Sequence, residues 1–215
     1  MMPPSPPPVY LVTDASLGEG LPERIASAIR GLPPRSVAVQ LRAPGVPGRG
    51  LLALARAIEK AVRAGGQLLV VNDRVDVALA AGADGVHLPS AGIPPADARR
   101  LLGAGARIGV SCHSVADVAQ EIRGGADFAT FGPVFDTPSK RAYGEPVGLD
   151  RLAEAAPLGL PLLGLGGVDL SNAAAVMEAG AAGVAAIRAW LEADDPSEAV
   201  RALVEVVQRT RRRSA

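Results

Sequence analysis

Eight short runs of β-branched and apolar residues, each followed by a longer stretch of helical periodicity, leave this chain few architectures to choose from. The runs are Val9–Thr13, Ser36–Leu41, Leu68–Asn72, Gly85–Leu88, Ile108–Ser111, Phe128–Phe131, Leu160–Leu165 and Gly183–Ile187. Their length and composition suit buried strands. Amphipathic stretches fill the gaps near Leu21–Gly31, Gly50–Ala64, Arg74–Ala81, Pro95–Gly103, Val115–Arg123, Leu149–Ala155 and Ser171–Ala179, and a last helix is predicted from Pro196 to Arg211. Eight strands, each followed by a helix, is the count of an α/β fold of the (β/α)8 TIM-barrel type, and 215 residues is an ordinary length for one.

Three joints repeat one device. Gly82-Ala83-Asp84, Gly125-Ala126-Asp127 and Gly180-Ala181-Ala182 each close a helix on glycine and lead into a strand. Glycine takes the left-handed position that stops a helix, and the next residues turn the chain back toward the sheet. The repeat points to one domain built from a recurring unit, preceded by a proline-rich and flexible Met1–Pro8. An open doubly wound sheet is the competing architecture. It would want Gly-x-Gly-x-x-Gly after the first strand, where Asp14-Ala15-Ser16-Leu17-Gly18 stands instead.

Formal charges cancel to zero, so nothing in the bulk electrostatics invites nucleic acid or an anionic membrane as partner. A single cysteine, Cys112, excludes an intramolecular disulfide and fits a reducing compartment. The first residues lack the basic and apolar regions of a signal peptide, and no apolar run is long enough to span a bilayer. A cytoplasmic protein is expected. The terminal Arg211-Arg212-Arg213 reads as a solvated, frayed helix end.

In barrels of this type chemistry gathers on the loops after the strands. Polar residues crowd those positions here: Asp14, Gln40, Arg42, Asn72, Asp73, His87 and Ser111 to Ser114, with both histidines of the chain, His87 and His113, among them. The loop after the sixth strand, Phe131 to Gly144, sets Thr137, Ser139 and Lys140 between Pro133, Pro138 and Gly144. Lys140 is one of two lysines against twenty arginines, and a compact ammonium suits a bound anion. Gly164-Leu165-Gly166-Gly167 after the seventh strand and the helix start at Ile187-Arg188 after the eighth match a barrel phosphate site, where backbone N–H groups face the anion.

Cys112 and His113 are neighbours on an extended segment and so point apart; Cys112 reads as a packed small residue and His113 as a proton-transfer candidate. Asp73 either ligates a metal or caps the next helix. His87 closes a buried strand, where a structural role and a catalytic one stand equal. No carboxylate follows it closely, so a metal centre built on the two histidines is poorly signalled.

The motifs Tyr10-Leu-Val-Thr-Asp14, Val39-Gln-Leu-Arg42, Val71-Asn-Asp-Arg-Val75, Gly82-Ala-Asp-Gly-Val-His-Leu88, Ile108-Gly-Val-Ser-Cys-His-Ser114, Phe131-Gly-Pro-Val-Phe-Asp-Thr-Pro-Ser-Lys140 and Gly164-Leu-Gly-Gly167 resemble, in order and over almost the whole chain, the thiamine phosphate synthase and TenI-type thiazole tautomerase family. The resemblance implies a (β/α)8 barrel that pairs into homodimers. It also implies one of two activities. The synthase joins a pyrimidine pyrophosphate to a thiazole phosphate with loss of pyrophosphate, using Mg²⁺ held by two carboxylates, one of them matching Asp73. The tautomerase aromatises a carboxylated thiazole phosphate by moving a proton, without a metal.

Three departures bear on the choice. Gln40-Leu-Arg42 continues as Ala43-Pro44 where the synthase has Glu-Lys, Pro89 to Ile93 carries no carboxylate where the synthase has its second aspartate, and Arg188 replaces a usual serine. The expected activity is therefore that of a thiazole tautomerase needing no cofactor, with Mg²⁺ required only for a synthase. His113 and Lys140 would be catalytic, with Gln40, Arg42, Asn72, Ser111, Thr137 and Ser139 binding a small phosphorylated heterocycle. Gly166, Gly167, Ile187 and Arg188 would take the phosphate. The synthase is the alternative, and a non-catalytic phosphate-ester binder a further one.

Overall fold

The computed structural model describes residues 6–14, 20–137 and 145–214. Eight parallel strands close on themselves in sequence order. They are β1 (Val9–Val12), β2 (Val37–Leu41), β3 (Leu68–Asn72), β4 (Gly85–Leu88), β5 (Arg107–Cys112), β6 (Phe128–Phe131), β7 (Leu162–Leu165) and β8 (Gly183–Ala186). The helices are α1 (Leu21–Ala28), α2 (Gly48–Ala64), α3 (Val75–Ala81), α4 (Pro95–Leu102), α5 (Val115–Gly124), α6 (Gly148–Ala155), α7 (Ala173–Glu178), a short α8 (Arg188–Leu191) and α9 (Pro196–Ser214). A 3-10 turn at Ala156–Leu158 shortens the run into β7.

Strand periodicity divides the core in two. Outward residues such as Leu11, Val39, Val71, Val86, Val110 and Phe131 pack with the helices into one buried layer. Inward residues Tyr10, Val12, Ala38, Leu68, Val70, Phe128, Leu163 and Ala185 fill the barrel. Gly109 is required there, because a Cβ would lie 2.3 Å from the Phe128 ring and 2.7 Å from Nδ1 of His87.

The glycine repeat does what its pattern implies: Gly82 (φ 68°), Gly125 (φ 82°) and Gly180 (φ 95°) are all left-handed at helix ends. Its aspartates add a stitch. Oδ2 of Asp84 accepts the Leu69 N–H at 2.9 Å, and Oδ2 of Asp127 accepts the Ile108 N–H at 2.8 Å. Asp127 also receives Arg99 at 2.6 Å. Each carboxylate thus satisfies the N–H of the second residue of the neighbouring strand, at the barrel's closed end. The third repeat carries Ala182 instead, and there the guanidinium of Arg211 donates to the Ala182 carbonyl.

That contact corrects the expected frayed tail: α9 holds its form to Ser214, and Arg211 is half-buried against the barrel. The expected flexible start is corrected in part as well. Pro6 and Pro7 are buried, and the Pro8 carbonyl accepts the Val184 N–H at 3.0 Å, because β1 needs a neighbour on its β8 side. No helix among the described residues is long and apolar enough to cross a membrane.

Replacing Asp127 by alanine strands the Ile108 N–H and the Arg99 guanidinium together. Urea denaturation of Asp127→Ala should show a loss of about 1–3 kcal/mol, the usual consequence of orphaning a buried donor.

Candidate active site at the barrel mouth

Every loop that follows a strand opens on the same rim, so residues far apart in sequence meet there. On β2 and β3, Nε2 of the buried Gln40 donates to Oδ1 of Asn72 at 2.7 Å. That leaves the carbonyl oxygen of Gln40 and the amino group of Asn72 as an acceptor and a donor at the mouth. Thr13, just past β1, braces Arg42: its hydroxyl donates to the Arg42 carbonyl at 3.0 Å and receives the Arg42 N–H at 2.9 Å. The guanidinium of Arg42 lies 3.5 Å from Oδ2 of Asp14, with 42% of its side chain exposed, so its charge remains open to an anion.

Asp73 does not cap α3. Arg74 holds the cap position, and its side chain makes no capping bond to the helix N-terminus. Instead Asp73 has φ 63°, and its N–H donates to the His87 carbonyl at 2.8 Å. A left-handed non-glycine residue is strained unless its surroundings hold it. Here β4 holds it, and the carboxylate is left exposed at the rim.

His113 projects into solvent beyond β5 while its backbone is fixed from below. Its N–H donates to Oδ2 of Asp117 at 2.8 Å, and the Asp117 N–H donates to the hydroxyl of Ser114, which caps α5. Nδ1 of His113 lies 2.5 Å from the Gly132 carbonyl, which can only accept. That contact puts the ring proton on Nδ1 and leaves the Nε2 lone pair for a proton from elsewhere. Cys112, one residue away, is fully buried, and burial raises its thiol to about 12, so it is no nucleophile.

The β6–α6 loop is pinned to the β7–α7 turn. The Val134 N–H donates to the Leu165 carbonyl at 2.8 Å and the Phe135 N–H to the Gly166 carbonyl at 3.0 Å. This gives Gly166 and Gly167 a packing reason to be glycine, independent of the expected anion. With φ 99° and 65°, a Cβ would lie 2.6 Å from Pro133 and 2.7 Å from Phe135 respectively. Leu165 pairs with Ala185, which brings the Gly166-Gly167 turn beside Ile187 and the first turn of α8. The N–H groups of Gly166 and Gly167 have no acceptor among the described residues. Arg188 is exposed and sits 3.8 Å from Glu192. Trp190 anchors α8, its indole N–H lying 3.3 Å from the Val12 carbonyl and 3.2 Å from that of Ala186.

Thr137 is the last described residue of its loop, while Ser139 and Lys140 lie outside the described residues. Ser111 sits deeper, half-buried, and meets His87. Sequence reasoning did not single out Thr13, Thr130 or Asp117. For Asp117 a signal existed, since Ser114-x-x-Asp117 has the spacing of a capping box.

The family model described as thiamine monophosphate synthase matches residues 9–190. The chain belongs to the thiamine phosphate synthase/TenI family. It is 48% identical over 201 residues to a putative thiamine-phosphate synthase of Geobacter sulfurreducens, covering 93% of both chains. To the thiamine-phosphate synthase of Roseiflexus castenholzii it is 45% identical, covering 92% of this chain and 87% of that one. Among solved structures, a thiamine phosphate pyrophosphorylase from Pyrococcus furiosus superposes with a TM-score of 0.84 at 30% identity, covering 94% of this chain and 96% of the other. These relatives carry the name of the synthase, whereas Ala43-Pro44, Pro89 to Ile93 and Arg188 point to the tautomerase.

His87 is enclosed on all sides, and desolvation lowers its pKa from 6.5 to about 3. Protonation must therefore wait for unfolding, and the unfolded chain binds one more proton than the folded one between those values. The stability this residue contributes is complete above about pH 6.5 and gone at about pH 3. Urea denaturation across that window should show wild type losing on the order of 1.4 kcal/mol per pH unit more than His87→Asn.

Proposed function

We propose that the chain is a thiamine-phosphate synthase, joining a pyrimidine carried as its pyrophosphate ester to a thiazole phosphate. The observation that carries this reading is its 45% identity, across 92% of this chain and 87% of the other, to a protein bearing that name. The geometry supports it. The Gln40–Asn72 pair offers an acceptor beside a donor, the complement of the amino group and ring nitrogen of an aminopyrimidine. Arg42, braced by Thr13, faces the anionic end, and Lys140, Ser139 and Thr137 add donors from the β6–α6 loop. The thiazole phosphate falls to the N–H groups of Gly166 and Gly167, which have no acceptor among the described residues, and to the start of α8, with Arg188 beside it.

In the joining step the carbon–oxygen bond to pyrophosphate breaks, and the thiazole nitrogen lone pair forms the new carbon–nitrogen bond. The oxygen keeps the bonding electrons, and no proton has to move. Arg42 and Lys140 meet the charge that builds on the departing group. Mg²⁺ is the cofactor that the family resemblance attaches to this reaction. Asp73 is the rim carboxylate suited to it, and no group of three His, Cys, Asp or Glu able to hold a metal occurs among the described residues. One carboxylate together with substrate phosphate oxygens is within the usual coordination of Mg²⁺. Asp73 would hold it only with the pyrophosphate present, and the ion would then neutralise charge on the leaving group.

A second reading, a thiazole tautomerase, draws on the free Nε2 of His113, on Ala43-Pro44 in place of Glu-Lys, and on the carboxylate-free Pro89–Ile93. The two readings differ in whether a proton is transferred. Purified protein given both synthase substrates should release pyrophosphate with Mg²⁺ present; turnover of the thiazole tautomer alone would replace the synthase with the second reading. For a synthase, His113→Asn should leave turnover within about tenfold, whereas a tautomerase should lose about 10²–10⁴. Pyrophosphate should bind at least about tenfold more tightly with Mg²⁺ than without, and Asp73→Asn should erase the difference by calorimetry. Asparagine tolerates the left-handed backbone at that position, so the variant tests the carboxylate alone.

A further inference from the structure

Inside the barrel, below the rim, lies a polar cluster whose buried members touch no reacting atom of the joining step. His87 on β4 is 2% exposed and sits among Tyr10, Phe128, Ser111 and Thr130. Nδ1 faces the phenol oxygen of Tyr10 at 3.4 Å. Nε2 faces the hydroxyl of Ser111 at 3.1 Å and that of Thr130 at 3.2 Å. Tyr10 is wholly buried, and Nδ1 is its hydroxyl's partner among the described residues.

A neutral imidazole donates from one nitrogen and accepts at the other, so the neighbours decide the direction. A phenol is a more acidic donor and a weaker acceptor than an aliphatic hydroxyl. Pairing the stronger donor with the imidazole lone pair sends the Tyr10 proton to Nδ1. The ring hydrogen then belongs to Nε2 and is shared by the oxygens of Ser111 and Thr130. Having accepted, the half-buried Ser111 must point its own hydrogen away from His87, and the open direction is the barrel mouth. Burial keeps the ring uncharged across the working pH range, so the order does not reverse.

We infer that His87 is a positioning residue: backed by Tyr10, it holds Ser111 as a hydrogen-bond donor aimed at the substrate in the mouth. This rests on the reading that the mouth binds and turns over the phosphorylated heterocycles, and it adds a one-way relay of orientation from β1 through β4 to β5.

The test combines a spectrum with a kinetic cycle. In long-range nitrogen–proton spectra of isotope-labelled wild type, His87 should appear as the neutral Nε2–H tautomer. In Tyr10→Phe, which keeps the ring and removes one oxygen, the signal should move toward a mixture of tautomers. In the same variant kcat should fall about tenfold, with KM within about twofold. Ser111→Ala should show at least that loss, and adding Tyr10→Phe to it should cost nothing more, because the phenol acts through the serine. An Nδ1–H tautomer in wild type overturns the inference, as do multiplicative losses in the double variant. If wild type turns over neither substrate pair, the functional reading fails, while the spectrum still decides the direction of the chain.

Discussion

Closure of the parallel ladder is the constraint on which the rest depends. β8 pairs back onto β1, with Val9 opposite Val184, and the Val184 N–H reaches the Pro8 carbonyl. A closed ladder has no edge strand to protect and leaves its strand backbones paired on both sides. It also sorts the chain's ends. With all eight strands parallel, every strand C-terminus lies on one rim and every N-terminus on the other. The two rims then carry different chemistry. The closed end holds Asp84, Asp127 and Gln67 in bonds to strand backbone, with Arg99 on the Asp127 carboxylate, which makes it a stability device. The open end keeps Gln40, Arg42, Asp73 and His113 with hydrogen-bonding capacity unspent, which is what a binding site needs.

The cost of that open capacity is met next door. Arg42 is braced by Thr13 just past the adjacent strand β1, Asp73 is held left-handed by a bond to β4, and His113 is held by Asp117 from the following helix and by the Gly132 carbonyl just past β6. In each case the functional group belongs to one strand and its support to a neighbouring element. A barrel supplies that geometry around its whole circumference, so side chains can be aimed to within a hydrogen bond on loops that would otherwise wander.

The architecture was legible in the sequence for a local reason. Strand runs, helical periods and the glycines that end α3 and α5 are short-range signals, and strand boundaries such as Leu68–Asn72 and Gly85–Leu88 fall where composition places them. The site was legible as a set of positions but not as a set of contacts. Asp73 reads as either a metal ligand or a helix cap, since it stands just ahead of a helix; its left-handed turn depends on a carbonyl from β4 that local pattern cannot reveal. Gly166 and Gly167 read as a phosphate cradle, yet their lack of side chains is also demanded by Pro133 and Phe135 from another loop. Arg211 reads as tail because its partner, the Ala182 carbonyl, is 29 residues away. The ranking of tautomerase over synthase came from residues missing between Ala43 and Ile93, whereas the named relatives match over more than nine-tenths of the chain.

The barrel interior is the least expected part of the design. Burying an imidazole and two hydroxyls among Phe128, Tyr10 and Leu163 is costly unless each group finds a partner, and apolar side chains of similar volume would fill the space at lower risk. Gly109 makes the point sharper, since even a methyl group there would collide with the His87 ring. A strand position has been emptied of side chain to seat the His87 and Phe128 rings together. Stability alone does not call for that arrangement. It becomes intelligible when the cluster is read from the top, where its last member, Ser111, reaches the mouth. The polar interior is then the foundation of the site, carrying orientation from the first strand to the fifth beneath a rim whose charged residues do the visible work.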